Sequence, residues 1–135
     1  MKQVALGWYL EVIKKGAIFG GRARRAEYWY FQLVNFMILV VLLLPIGQTG
    51  SAESTPIQLV FESIAVLYMI AVFLPMLAVS VRRLHDTNRT GLWVLIGLIP
   101  CIGDLVLIIF YALDSQPGPN RYGPNPKGFD IILDR

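Results

Sequence analysis

The chain has 135 residues, room for one domain. It is 56% hydrophobic and 16% charged, with net charge +3, against roughly 45–50% and about 25% in soluble domains; this excludes an ordinary water-facing surface and points to lipid as the solvent. One histidine, His85, and one cysteine, Cys101, exclude a histidine-rich metal site and a disulfide within the chain, and Cys101, inside an apolar stretch, is expected to be a buried, inert thiol.

In chain order, residues 2–16 predict an amphipathic helix. Ala5, Trp8, Tyr9, Val12 and Ile13 form one apolar stripe at helical spacing. The stripe is too short to cross a bilayer and suits a helix lying in the interface; a helix packed on the domain is the alternative. Residues 28–46 carry no charge and cover roughly 28 Å, close to the ~30 Å hydrocarbon core. The 47–55 loop is polar, with Glu53 and no Lys or Arg. Thr55-Pro56-Ile57-Gln58 opens a helix: threonine caps it, proline fits the first turn, and glutamine completes a capping box. Residues 63–81 are again free of charge, and Pro75 is expected to kink them because it removes a backbone hydrogen bond.

The third apolar segment, 92–113, contains Asp104 and is interrupted at Pro100-Cys-Ile-Gly103. We expect one broken span. The alternative is a re-entrant hairpin turning at 100–103, whose arms of about 12–15 Å are each too short to cross alone. The 114–135 tail is rich in Pro and Gly and predicts turns and extended chain. The fold class is thus an all-α membrane protein, a single integral membrane domain over 1–135. It comprises an interfacial N-terminal amphipathic helix and three hydrophobic transmembrane segments, the third broken. Gly97, Gly103 and Ala112 permit close helix approach, and so thin a bundle makes a homo-oligomer plausible.

Short loops rich in Lys and Arg stay in the cytoplasm. The first 27 residues carry Lys2, Lys14, Lys15, Arg22, Arg24 and Arg25; the 82–91 loop carries Arg82, Arg83 and Arg89; the 47–55 loop carries none. The alternation predicts a cytoplasmic N-terminus and a cytoplasmic 82–91 loop. The tail balances Arg121, Lys127 and Arg135 against Asp114, Asp130 and Asp134, so charge leaves its side open.

The two basic clusters share one membrane face in this topology. As topology signal and lipid anchor they contribute on the order of 1 kcal/mol per residue. If Arg22, Arg24, Arg25, Arg82, Arg83 and Arg89 meet, they build a site for anionic headgroups or a partner's acidic segment, since the guanidinium fork suits phosphate. Glu27 and Asp86 lie in the same segments and are the candidates to neutralise them internally. No recognition fold for nucleic acid accompanies the charge. His85 and Asp86 are adjacent and do not face each other on a helix, and no nucleophile has an evident partner. Asp104 is an ionisable group inside an apolar segment, a functional candidate because its burial costs several kcal/mol unless compensated. As an N-cap of a half-helix 105–113 it has a structural explanation.

Four blocks carry a resemblance: Phe19-Gly-Gly-Arg-Ala-Arg-Arg-Ala-Glu-Tyr-Trp-Tyr-Phe31, Val81-Arg-Arg-Leu-His-Asp-Thr-Asn-Arg-Thr-Gly91 with Trp93, Ile99-Pro-Cys-Ile-Gly103, and Gly118-Pro-Asn-Arg-Tyr-Gly-Pro-Asn-Pro-Lys127. In order and over nearly the whole chain, they resemble the small bacterial inner-membrane proteins of the domain of unknown function 805 family. The resemblance implies a bacterial multi-pass inner-membrane protein and implies no activity. It singles out the tail motif Asn120, Arg121, Tyr122 and Gly123. Leu92 departs from the Trp usual in the family, and the position of Asp104 is typically apolar or aromatic there, which makes Asp104 a trait of this chain.

The function expected is that of a non-enzymatic membrane protein engaging anionic lipid or a protein partner through its cytoplasmic arginines, without cofactor or metal. The alternative is a subunit of a small oligomeric transporter or channel using Asp104. No catalytic constellation is visible.

Overall fold

A computed structural model describes residues 5–44 and 55–128. The expected helix start at 2–4, positions 45–54 and the tail beyond 128 lie outside the described residues. The described residues are helical: α1 Ala5–Lys14, α2 Arg25–Leu43, α3 Pro56–Asp86, a 3₁₀ helix Gly91–Leu98, and α4 Ile102–Ala112. Two of them, α2 and α3, are long and apolar enough to cross a membrane, with mean hydropathy 1.5 and 2.5.

Local chemistry explains the boundaries of α3. Thr55 accepts from the Gln58 N–H, and the Gln58 side chain accepts from the Thr55 N–H, the expected capping box with Pro56 in the first turn. The helix runs without interruption through Pro75. At its end Asn88 turns left-handed (φ 59°), and the Asn88 and Arg89 N–H groups donate to the His85 and Leu84 carbonyls. That is a Schellman closure, with asparagine in the glycine position. α2 begins after the extended Arg24 and places Glu27 in its first turn, where a carboxylate complements the helix dipole.

Glu27 at the start of α2 pairs with Arg82 near the end of α3, so the two helices are antiparallel. Much of their surface is uncovered: Phe36, Leu67, Ile70 and Phe73 are all exposed. Contiguous exposure of that kind suits a lipid-facing wall. α1 buries Val12 fully, stacks Tyr9 on Phe31 of α2, and joins the Tyr9 hydroxyl to that of Tyr68 on α3. Leu6 and Leu10 remain exposed. The helix is therefore packed on the bundle, with an apolar edge left over.

The third segment departs from the expected single broken span. The 3₁₀ helix and α4 lie against each other and reverse direction at 99–101. The Ile102 N–H donates to the Pro100 carbonyl across Cys101, whose φ of 65° and ψ of −56° form a tight γ-turn. A Cβ on Gly103 would come within 1.8 Å of the Ile96 carbonyl oxygen, so only glycine permits this approach. The two arms match in length: eight 3₁₀ residues and eleven α residues each rise roughly 16 Å, half a bilayer core. Both ends of the segment return to the Arg82–Asp86 end of α3, because Arg83 donates to the Tyr111 and Leu113 carbonyls. Two smaller expectations also change. Cys101 is exposed at the tip, and Asp104 is no N-cap, since α4 already begins at Ile102 and Asp104 sits in its first turn.

Gly103→Ala is expected to destabilise the protein by about 1–3 kcal/mol, the usual cost of forcing bulk into a packed contact. Gly97→Ala meets only the flexible Leu107 side chain at 3.1 Å and should cost less. Gly20→Ala, with nothing within 4 Å, should cost least. Thermal unfolding in detergent orders the three.

Candidate functional site: a buried arginine–carboxylate hub

Asp86 ends α3 with no exposed surface. Its Oδ1 accepts from Arg22 Nε at 2.9 Å. Its Oδ2 accepts from Arg83 Nη1 and from Ser115 Oγ at 2.5 Å. The N-terminal leader, α3 and the tail therefore converge on one carboxylate. The backbone holds the same junction: the Ala23 N–H donates to the Arg82 carbonyl at 3.1 Å, and the Gln116 N–H to the Asp86 carbonyl at 3.0 Å.

Arg22 reaches further. Its Nη1 donates to the Gly118 carbonyl at 2.8 Å and its Nη2 to the Gln116 carbonyl at 2.7 Å, although its side chain is only 1% exposed. Arg82, equally buried, donates through Nη1 to Glu27 Oε1 at 2.5 Å; its Nε and Nη2 have no hydrogen-bond partner among the described residues. Arg22, Arg82 and Arg83 thus meet as the sequence suggested, and they meet inside the protein. Their charges are taken up by Glu27, Asp86 and tail carbonyls. An exposed anion-binding cluster built from these three is corrected to an internal network.

The tail motif seals the end of α3. Asn120 and Gly123 close a turn through reciprocal 3.0 Å backbone bonds, and the Asn120 side chain donates to the His85 carbonyl at 2.9 Å. Tyr122 stacks on the His85 ring, centroids 3.7 Å apart. Arg121 lies over Tyr122 and donates to the Asn88 carbonyl. Leu84, His85, Asp86 and Asn88 carbonyls at the helix end are all thereby satisfied, which a helix C-terminus requires. His85 also meets the Gly21 carbonyl through Nδ1 and is a packing residue.

The remaining candidates lie at the rim. Arg24 donates to the Pro126 carbonyl and faces the Trp8 ring. Arg25 pairs with Asp114 at 3.5 Å. Arg89 stacks over Phe110 at 4.1 Å. Lys127 also binds Asp114, and that hydrogen bond, with the Ser115 N–H, holds the exposed Asp114 carboxyl below its ordinary 3.8. Asp104 lies away from the hub, on a groove between α2, α3 and α4. Ser115 and Gln116, which the sequence reading did not single out, are hub members; the one signal was a polar Asp-Ser-Gln step directly after an apolar run. Among the described residues no group of His, Cys, Asp and Glu could hold a metal.

The fold and hub define a small helical membrane-type protein: two membrane-length helices and a folded-back hairpin, clasped at one end by buried ion pairs. The chain belongs to the family described as Protein of unknown function (DUF805), whose model matches residues 17–124. It is 44% identical to "Inner membrane protein YhaI" of Escherichia coli (strain K12) over 120 residues, 89% of this chain and 95% of that one. It is 45% identical to "Inner membrane protein YhaH" of the same strain over 122 residues, 90% and 98% of the two chains. No solved structure matches it.

Asp86→Asn and Arg83→Gln are each expected to cost about 3–5 kcal/mol, because each leaves a buried charge unpaired; unfolding in detergent measures this. At the rim, Lys127→Ala should raise the Asp114 titration toward 3.8, read by carboxyl NMR. With Asp114 depressed in the fold, the pair stabilises at pH above that ordinary value, and the benefit is lost as pH falls through the lower folded value.

Proposed function

We propose that the chain is a non-enzymatic, multi-pass inner-membrane protein with both its leader and its tail in the cytoplasm. On this reading the hub builds a rigid cytoplasmic platform that holds anionic lipid headgroups at its rim. The positive-inside pattern supports the orientation, and the names of the relatives support the membrane. The two full spans are α2 and α3, with 91–112 entering from the cytoplasmic side and returning.

The observation that carries the reading is the division of the cations. Arg22, Arg82 and Arg83 are buried and internally paired. Lys14, Arg89 and Arg121 make no ion pair among the described residues; Arg89 and Arg121 stand at the rim of the same end, against Phe110 and Asn88, and Lys14 is exposed at the end of α1. Trp29, Tyr30 and Trp93 are exposed nearby, as interfacial aromatics are. Each rim cation adds on the order of 1 kcal/mol of attraction to an anionic surface.

In mixed phosphatidylglycerol–phosphatidylcholine nanodiscs, the triple variant Lys14→Gln, Arg89→Gln, Arg121→Gln should lower phosphatidylglycerol enrichment around the protein several-fold while leaving thermal stability nearly unchanged. Arg83→Gln should do the reverse. Equal enrichment in parent and triple variant at low salt would sink the rim reading. Paired reporters fused after residue 135 should be active only in their cytoplasmic form; activity of the external form would overturn the orientation of the tail.

A further inference from the structure

A groove of about 360 Å³ opens between α2, α3 and α4. Its walls are apolar, from Phe73, Met76 and Leu107, and its polar atoms come from Tyr28, Gln32, Ser80, Tyr111 and Asp104. The volume falls in the range of small-molecule sites, mostly apolar with a few convergent polar groups. Tyr28 and Tyr111 sit at the hub end. Asp104 is seven residues from Tyr111 along α4, about 10 Å deeper.

The charge of the groove is one-sided. Asp104 has no hydrogen bond and no ion pair among the described residues, and no Lys or Arg lines the groove. The neighbouring Arg83 is committed to Asp86, Tyr111 and Leu113. Ser80 spends its proton on the Met76 carbonyl and Gln32 donates to the Tyr28 hydroxyl, so these polar groups are engaged with one another and Asp104 is left without a partner among the described residues. Asp104 is exposed on the groove, and in an apolar surrounding its carboxylate favours a counter-charge.

We propose that this groove binds a membrane-dissolved organic cation, an alkyl- or arylammonium whose charge is held by Asp104 and whose apolar body lies against Phe73, Met76 and Leu107. The site is independent of the rim and its lipids. It selects a cation because Asp104 is the one charged group that lines it.

The test uses the full chain in purely zwitterionic phosphatidylcholine nanodiscs, where the rim reading makes no contribution. Decylammonium and decanol are titrated by calorimetry, with empty nanodiscs subtracted. The parent should bind decylammonium saturably and at least about tenfold more tightly than decanol. Asp104→Asn should abolish that preference while leaving decanol binding unchanged and without lowering thermal stability, since Asp104 makes no bond among the described residues. Ile108→Trp, a substitution at an exposed position lining the groove, should weaken both ligands. Equal affinity for amine and alcohol would mean the groove takes only acyl tails and would overturn the proposal. So would the absence of a saturable phase, or an undiminished amine preference in Asp104→Asn.

Discussion

The carboxylate of Asp86 is the constraint on which the rest of the structure depends. It sits at the negative end of a helix, where a further negative charge is unfavourable, and it has no exposed surface. Such a group persists only if every lone pair is taken by strong donors. Arg22, Arg83 and Ser115 provide them, and each comes from a different stretch of chain. The leader and the tail must therefore both reach the end of α3. The two arginines have donors to spare, and these go to the Tyr111, Leu113, Gln116 and Gly118 carbonyls. This second set of bonds fixes where α4 must end, so the hairpin has to fold back.

The far half of the molecule is organised by a different solvent. Apolar side chains of α2 and α3 remain uncovered, and the polar groups between the helices satisfy one another: Asn35 bonds to the Phe31 carbonyl and to Tyr68, which meets Tyr9. Polar side chains between helices in lipid act as such local ties, each of modest value. Asp104 is the exception, a carboxylate on the groove with no tie of its own among the described residues.

Charge-free runs and the capping box made α2 and α3 legible, because length, hydropathy and end chemistry all agree there. The reversal at 99–101 was legible as a break, with a hairpin as the alternative to the single span expected. Pro100 and Gly103 announce an interruption, but the direction the chain takes after it is decided by Gly103 against Ile96 and by Arg83 some twenty residues earlier. The arginines were legible as a set and not as a buried set. Positive-inside loops and internal ion-pair networks use the same residues, and Glu27 and Asp86 in the same two segments were the available sign of pairing. The tail motif could be singled out by resemblance, while its role as the seal on α3 depends on contacts with His85 and Asn88 that spacing does not encode.

The most direct measurement of the central claim is a double-mutant cycle between Arg22 and Asp86, using Arg22→Gln and Asp86→Asn singly and together, read by equilibrium unfolding in detergent. A hub that joins leader to α3 predicts strong non-additivity, a coupling of about 1–3 kcal/mol. Losses that simply add would contradict it and would return the arginines to the surface.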